Sequence, residues 1–154
     1  MRKFAMASAM VAVLSSGVVF AQAPAGAPAP AAQDASAKVL ASLQGIWVVV
    51  SVNGESLDNQ GVEMALKIEG NKYYQLVNGA IDETGTFKVD AAKTPISFDL
   101  TIQEGNDAGK VQPGIIEVKG DTIAAFLATP GGTVRPANFD SADGAIYVIA
   151  KKAK

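Results

Sequence analysis

From Ile96 to Gln103 the side chains alternate without a break. Ile96, Phe98, Leu100 and Ile102 are apolar, and Ser97, Asp99, Thr101 and Gln103 between them are polar. A period of two puts successive side chains on opposite faces of a strand, so this segment reads as a strand with one dry face and one wet face. The pattern recurs where Met64, Leu66 and Ile68 oppose Ala65, Lys67 and Glu69, and where Phe87 and Val89 oppose Thr86, Lys88 and Asp90. Turn signals separate such segments: Asn53-Gly54, Gly70-Asn71, Asn78-Gly79, Gly105-Asn106, Gly120-Asp121, Gly131-Gly132 and Asp143-Gly144. Strands are therefore predicted near 45–53, 62–69, 72–78, 84–90, 95–103, 114–119, 121–128 and 145–151. Strands in that number close most economically into a barrel, which leaves no edge unpaired. The expected fold class is all-β: a small antiparallel up-and-down barrel of about eight strands with a short N-terminal helix.

One segment breaks the alternation. Ile46, Trp47, Val48, Val49 and Val50 are all apolar. Either the helix covers the outer face of this strand, or the strand is bulged. Asp34 is placed to N-cap that helix, which would run through Ala35 to Ser42 and end just before Leu43.

The N-terminus reads differently. Arg2 and Lys3 precede a run from Phe4 to Phe20 that is apolar or small throughout. This is the form of a secretion signal, and at 17 residues rich in Ala, Ser and Gly it is a poor membrane span. Cleavage is expected after Ala21, because the competing site after Ala23 is followed by Pro24. The organisation expected is a signal peptide over 1–21, an Ala/Pro-rich linker over 22–33 with Pro24, Pro28 and Pro30, and a barrel domain over 34–154. The localisation that follows is periplasmic or secreted, with no stable membrane insertion once the signal is gone.

Charge and composition narrow the function classes. The chain carries 13 Lys plus Arg against 15 Asp plus Glu; without Arg2 and Lys3 the balance is 11 against 15, or −4. An acidic surface is poorly matched to a phosphate backbone, so no nucleic-acid partner is expected. Lys151, Lys152 and Lys154 read as a solvated tail. The chain has no Cys and no His. Disulfides are excluded, and most transition-metal sites and nucleophile–base dyads lose their raw material. Carboxylates remain. Asp82-Glu83 should face opposite ways if on a strand. Glu104 and Asp107 share one loop, and Asp140 and Asp143 another, without the spacing of a calcium loop. No catalytic residue, metal or cofactor is assigned, and the chain is not read as an enzyme. Tyr73-Tyr74 and Tyr147 read as cross-strand packing.

Several motifs occur in a recognisable order: Leu43 to Ser51 (LQGIWVVVS), Gly85 to Asp90 (GTFKVD), Pro95 to Leu100 (PISFDL), Gly114 to Val118 with Gly120-Asp121-Thr122, and Arg135-Pro136-Ala137-Asn138-Phe139. Over residues 43–150 this order resembles a family of uncharacterised secreted proteins, lipocalin-like in fold and known mainly from planctomycete bacteria. Ile116 departs from the Tyr usual there, Phe126 from a frequent Cys, and Lys151 from a common Arg. The resemblance implies architecture and export rather than chemistry. Gly45-x-Trp47 also resembles the first-strand motif of lipocalins, in which the Trp closes one barrel end and an Arg from late in the chain packs across it. After the signal, Arg135 is the sole Arg and Trp47 the sole Trp. A Trp47–Arg135 cation–π pair is therefore expected as a structural element.

Two readings of function stay open. In the first, the barrel holds a small apolar or amphipathic ligand against Trp47, Leu66, Ile68, Phe87, Phe98 and Leu100, with space left by the small Ala124, Ala125 and Ala128. Its wall should be low in charge, with any polar ligand end at the open mouth. In the second, the core is filled and the loops form a protein-interaction or inhibitor-like module, its partner unknown. A connected internal cavity would favour the first, and a filled interior the second.

Overall fold

In the computed structural model the described residues are 30–140 and 144–154. The signal reading and most of the linker reading, together with Asp143, fall outside them. A helix, α1 (Pro30–Leu43), leads into nine strands: β1 (Gly45–Val52), β2 (Glu55–Ser56), β3 (Met64–Glu69), β4 (Lys72–Val77), β5 (Ala80–Asp90), β6 (Ile96–Glu104), β7 (Val111–Lys119), β8 (Thr122–Leu127) and β9 (Ile146–Lys152). Each pairs antiparallel with its neighbour, and β9 pairs back onto β1. β2 is a two-residue spur on the end of β1. The other eight strands form a closed up-and-down barrel. No helix among the described residues is long and apolar enough to cross a membrane.

Turn chemistry sets the register. At Asn53-Gly54 and Asn78-Gly79 both residues of each turn have positive φ, near 51° for the Asn and 83° or 79° for the Gly. Two such residues in succession match the type I′ turn, whose twist suits a tight hairpin. The β4–β5 hairpin therefore begins immediately after Gly79, four residues earlier than the sequence pattern indicates.

The helix also starts earlier than Asp34. Pro30 opens it, at a position where a missing N–H costs nothing and the fixed φ is already helical. Nor does it cover β1. It lies across one end of the barrel, where Ser36 Oγ accepts from the Ala91 N–H at 3.0 Å, and Gln44 bridges to the β3–β4 turn through both Gly70 N (2.7 Å) and Gly70 O (3.0 Å). The continuous apolar run of β1 has the other explanation. Its register against β9 slips between Val49 and Ser51, so Val50 is bulged, while Ile46 is left half exposed.

The closed end is a packed plug. Val39, Leu40 and the fully buried Leu43 enter the barrel against Trp47, Ile68, Phe87 and Phe98, and the two Phe rings lie 5.1 Å apart. Helix C-termini leave carbonyls without intrahelical partners. Here Gln44 Nε2 donates to Leu40 O at 2.8 Å and Trp47 Nε1 to Leu43 O at 2.7 Å. Trp47 thus ties the helix to the first strand while filling the core.

Arg135 is not on Trp47. Its guanidinium makes a fork with Asp99, Nη1–Oδ1 at 2.6 Å and Nη2–Oδ2 at 2.9 Å, and Nη1 also donates to Gly114 O at 2.7 Å. The planar guanidinium serves bidentate recognition of a carboxylate rather than the stacking on Trp47 expected from the sequence. Lys152 of the last strand takes the place over the indole, with Nζ 5.2 Å from the ring. Lys152 stays exposed while making this contact, and Lys151 and Lys154 beside it are exposed as well. Arg135 anchors the long β8–β9 connection onto the outside of the barrel. Pro136 is buried beneath it, and Phe139 lies 6.5 Å from Phe126, which in turn meets Tyr147 edge-on at 5.7 Å. This strap accounts for Ile115 and Phe126 being buried although they alternate with the inward residues of β7 and β8.

Candidate functional site

Away from the plug the inward side chains shorten, and the barrel encloses a cavity of about 290 Å³. Eight strands leave room for filling side chains or one small ligand, and here part of the interior is unfilled. β1 contributes Val49 and Val52; β3 contributes Met64, Leu66 and Ile68; β6 contributes Phe98 and Leu100; β7 contributes Ile116; β8 contributes Ile123, Ala125 and Leu127; β9 contributes Ile146 and Val148. Leu43 of the helix closes the inner end, and Asp107 and Pro130 of the connecting loops mark the other. Other concavities, such as the groove of about 380 Å³ between Leu57, Val62 and Asn78, are open surface features.

Four of the six residues expected to face a ligand therefore line the cavity: Leu66, Ile68, Phe98 and Leu100. Trp47 and Phe87 do not. Both point inward, but both are consumed by the plug. Of the three small residues, only Ala125 provides space. Ala124 is on the opposite face of β8, and Ala128 lies beyond the strand, its N–H bonded to Pro113 O.

The mouth is more polar than the alternation implies. Tyr73, Gln75, Glu83, Asp107 and Gln112 all border the cavity. Gly85 is what lets Tyr73 lie inward: a Cβ there would fall 2.7 Å from the tyrosine ring and 2.9 Å from its hydroxyl. Tyr73 OH donates to Glu83 Oε1 at 2.8 Å. Asp82 and Glu83 do not face opposite ways. The β4–β5 register slips between Gln75 and Leu76, so both acids sit against Gln75, whose Nε2 lies 3.4 Å from Asp82 Oδ2. Tyr73 is therefore part of the cavity wall; Tyr74 faces out under Lys67, 5.5 Å from Nζ.

Electrostatics at the mouth follow from this crowding. Burial pushes the Glu83 carboxyl above its ordinary range, the hydrogen bond from Tyr73 opposes the shift, and the charges of Asp107 and Asp82 add to it. Burial, then the hydrogen bond to Glu83, push the Tyr73 phenol far up, so it remains a donor. Gln112 is the one buried polar side chain among the described residues, and its Nε2 donates to Ala128 O at 2.8 Å. Alternation locates the apolar wall but not this polar mouth: Asp82-Glu83 precedes the strand expected from residue 84, and a bulge leaves no mark on the sequence pattern. Compared with known proteins, the chain matches no family model and no curated sequence.

Proposed function

We propose that the protein is an exported barrel that holds one small, mainly apolar ligand in its interior. The observation that carries this reading is the cavity of about 290 Å³, bounded by apolar side chains from six strands, closed by a helix at one end and bordered by polar groups at the other. An apolar wall with a few convergent polar groups is the usual form of a small-molecule site. The volume equals ~10 water volumes of roughly 30 Å³ each, which limits the ligand to a short chain or a small ring system. The alternative, a loop-based interaction module, is favoured by a filled interior, and the cavity speaks against it. Export is supported by the signal-like run from Phe4 to Phe20 and by the motif order that resembles a secreted lipocalin-like family. Protein recovered from the producing cell should then begin at Gln22.

The test of binding uses an uncharged naphthalene-type fluorophore. Its emission should rise saturably on addition of the native protein. The rise should be lost with Phe98→Glu, which puts a charge on the wall, and reduced with Ala125→Leu, which fills the space without a charge. A rise unaffected by either substitution places the probe elsewhere and rejects the reading.

A further inference from the structure

Each side-chain donor atom on the cavity's polar rim already reaches one protein acceptor, which leaves only the second N–H of each of the two amides. Tyr73 OH goes to Glu83, Gln75 Nε2 toward Asp82, and Gln112 Nε2 to Ala128 O. The acceptors are not consumed in the same way. Glu83 Oε2 and Gln112 Oε1 have no hydrogen bond among the described residues, and Asp107 uses only Oδ1, toward Lys110 at 2.6 Å. Gln112 is more than nine-tenths buried and lines the cavity, and its Oε1 has no protein partner among the described residues. The residue's orientation is fixed, because Ala128 O can only accept. No Lys or Arg lines the cavity.

We infer that the ligand's polar end is a hydrogen-bond donor bearing positive charge: a primary ammonium on a short apolar chain, rather than a carboxylate. The inference rests on the ligand-binding reading above and adds the head-group class. An ammonium has three donors and no acceptor, the complement of a rim with free acceptors and negative charge. A carboxylate would find only the second N–H of Gln75 or Gln112, with no cation on the wall, and would meet the like charge of Glu83, which unlike Asp107 has no ion-pair partner among the described residues. An alcohol is intermediate, able to donate once without relieving the charge. A cation beside Glu83 would also supply the compensation that burial denies it, which fits the upward displacement of that carboxyl.

The experiment is displacement of the uncharged naphthalene probe by three eight-carbon ligands at neutral pH and fixed salt: octylamine, octan-1-ol and octanoate. In the native protein octylamine should displace the probe about tenfold more tightly than octanol, the effect of one added charged hydrogen bond, with octanoate weakest. Glu83→Gln keeps the shape and the acceptor for Tyr73, and should bring octylamine and octanol to within about threefold of each other. Equal displacement by all three in the native protein, or octanoate as the tightest, overturns the head-group inference and leaves the cavity reading standing. A preference for octylamine that survives Glu83→Gln also overturns it. If the probe itself fails to bind, both readings fall. Should Glu83→Gln not fold, the order of the three ligands on the native protein decides alone.

Discussion

The two ends of this barrel share one strand pattern and differ in what fills them. At the helix end, Trp47, Phe87 and Phe98 meet Leu43, and the interior is solid. Toward the other end, the inward positions hold Ala125, Leu66, Ile116 and Val148, and the interior is open. The polar groups divide the same way. The helix end spends its hydrogen bonds internally, from Trp47 Nε1 to Leu43 O and between Gln44 and Gly70 in both directions. The mouth retains free acceptors on Glu83 and Gln112. Alternation thus decides which residues face inward, and side-chain volume together with the cover at each end decides whether they make a plug or a pocket.

The largest expected effect breaks the plug. Trp47→Ala removes a fully buried ring and the donor that caps the helix, and should cost about 3–5 kcal/mol. Leu66→Ala, on the cavity wall, should cost only about 2 kcal/mol, the low end for such a truncation, because part of its surroundings is already empty. Chemical denaturation of both variants measures the contrast; equal losses would mean the two ends are packed alike.

Next is the strap. Arg135→Lys removes the fork to Asp99 and should cost about 1 kcal/mol, discounted because each partner is about one-third exposed. Lys88→Ala, on the exposed side of β5, should stay within about 0.5 kcal/mol. A thermal melt separates them, and a loss from Arg135→Lys no greater than from Lys88→Ala removes the strap from the structural account.

The barrel itself was legible in the sequence because its signals are local. Alternation in β3, β5 and β6 and the Asn-Gly turns depend on nothing far away. The misplaced features depend on partners. Arg135 reaches Asp99, 36 positions earlier, and nothing near either residue announces the other. The β5 bulge that turns Asp82 and Glu83 to the same side depends on where β4 pairs, and Ile115 and Phe126 are dry on the outer face only because the strap returns over them. Leu66, Ile68, Phe98 and Leu100 could be placed on the wall from alternation alone. Which of the inward residues remain uncovered depended on where the helix sits.

A smaller effect sharpens the description of the mouth. Burial holds the Glu83 carboxyl above its ordinary value of 4.5, so between that value and the raised one the folded protein binds more protons than the unfolded chain. Its contribution to stability is therefore present below the window and falls as pH rises through it. Glu83→Gln removes that loss. The variant should gain in melting midpoint relative to the native protein as pH rises from about 4.5 to about 7. A difference between the two that stays constant with pH would show that Glu83 is solvated like a surface acid.

The central claim is that a ligand enters the barrel and stops at the plug. Methyl NMR during titration with octylamine tests it most directly. Saturable shifts are expected at Leu66, Ile68, Leu100, Ile116, Ile123 and Val148, which line the cavity, with Val39 and Leu40 on the helix unmoved. Shifts confined to the exposed Ile46, Ile81, Val111 and Val134, with the interior methyls unchanged, would place binding on the surface and contradict the account.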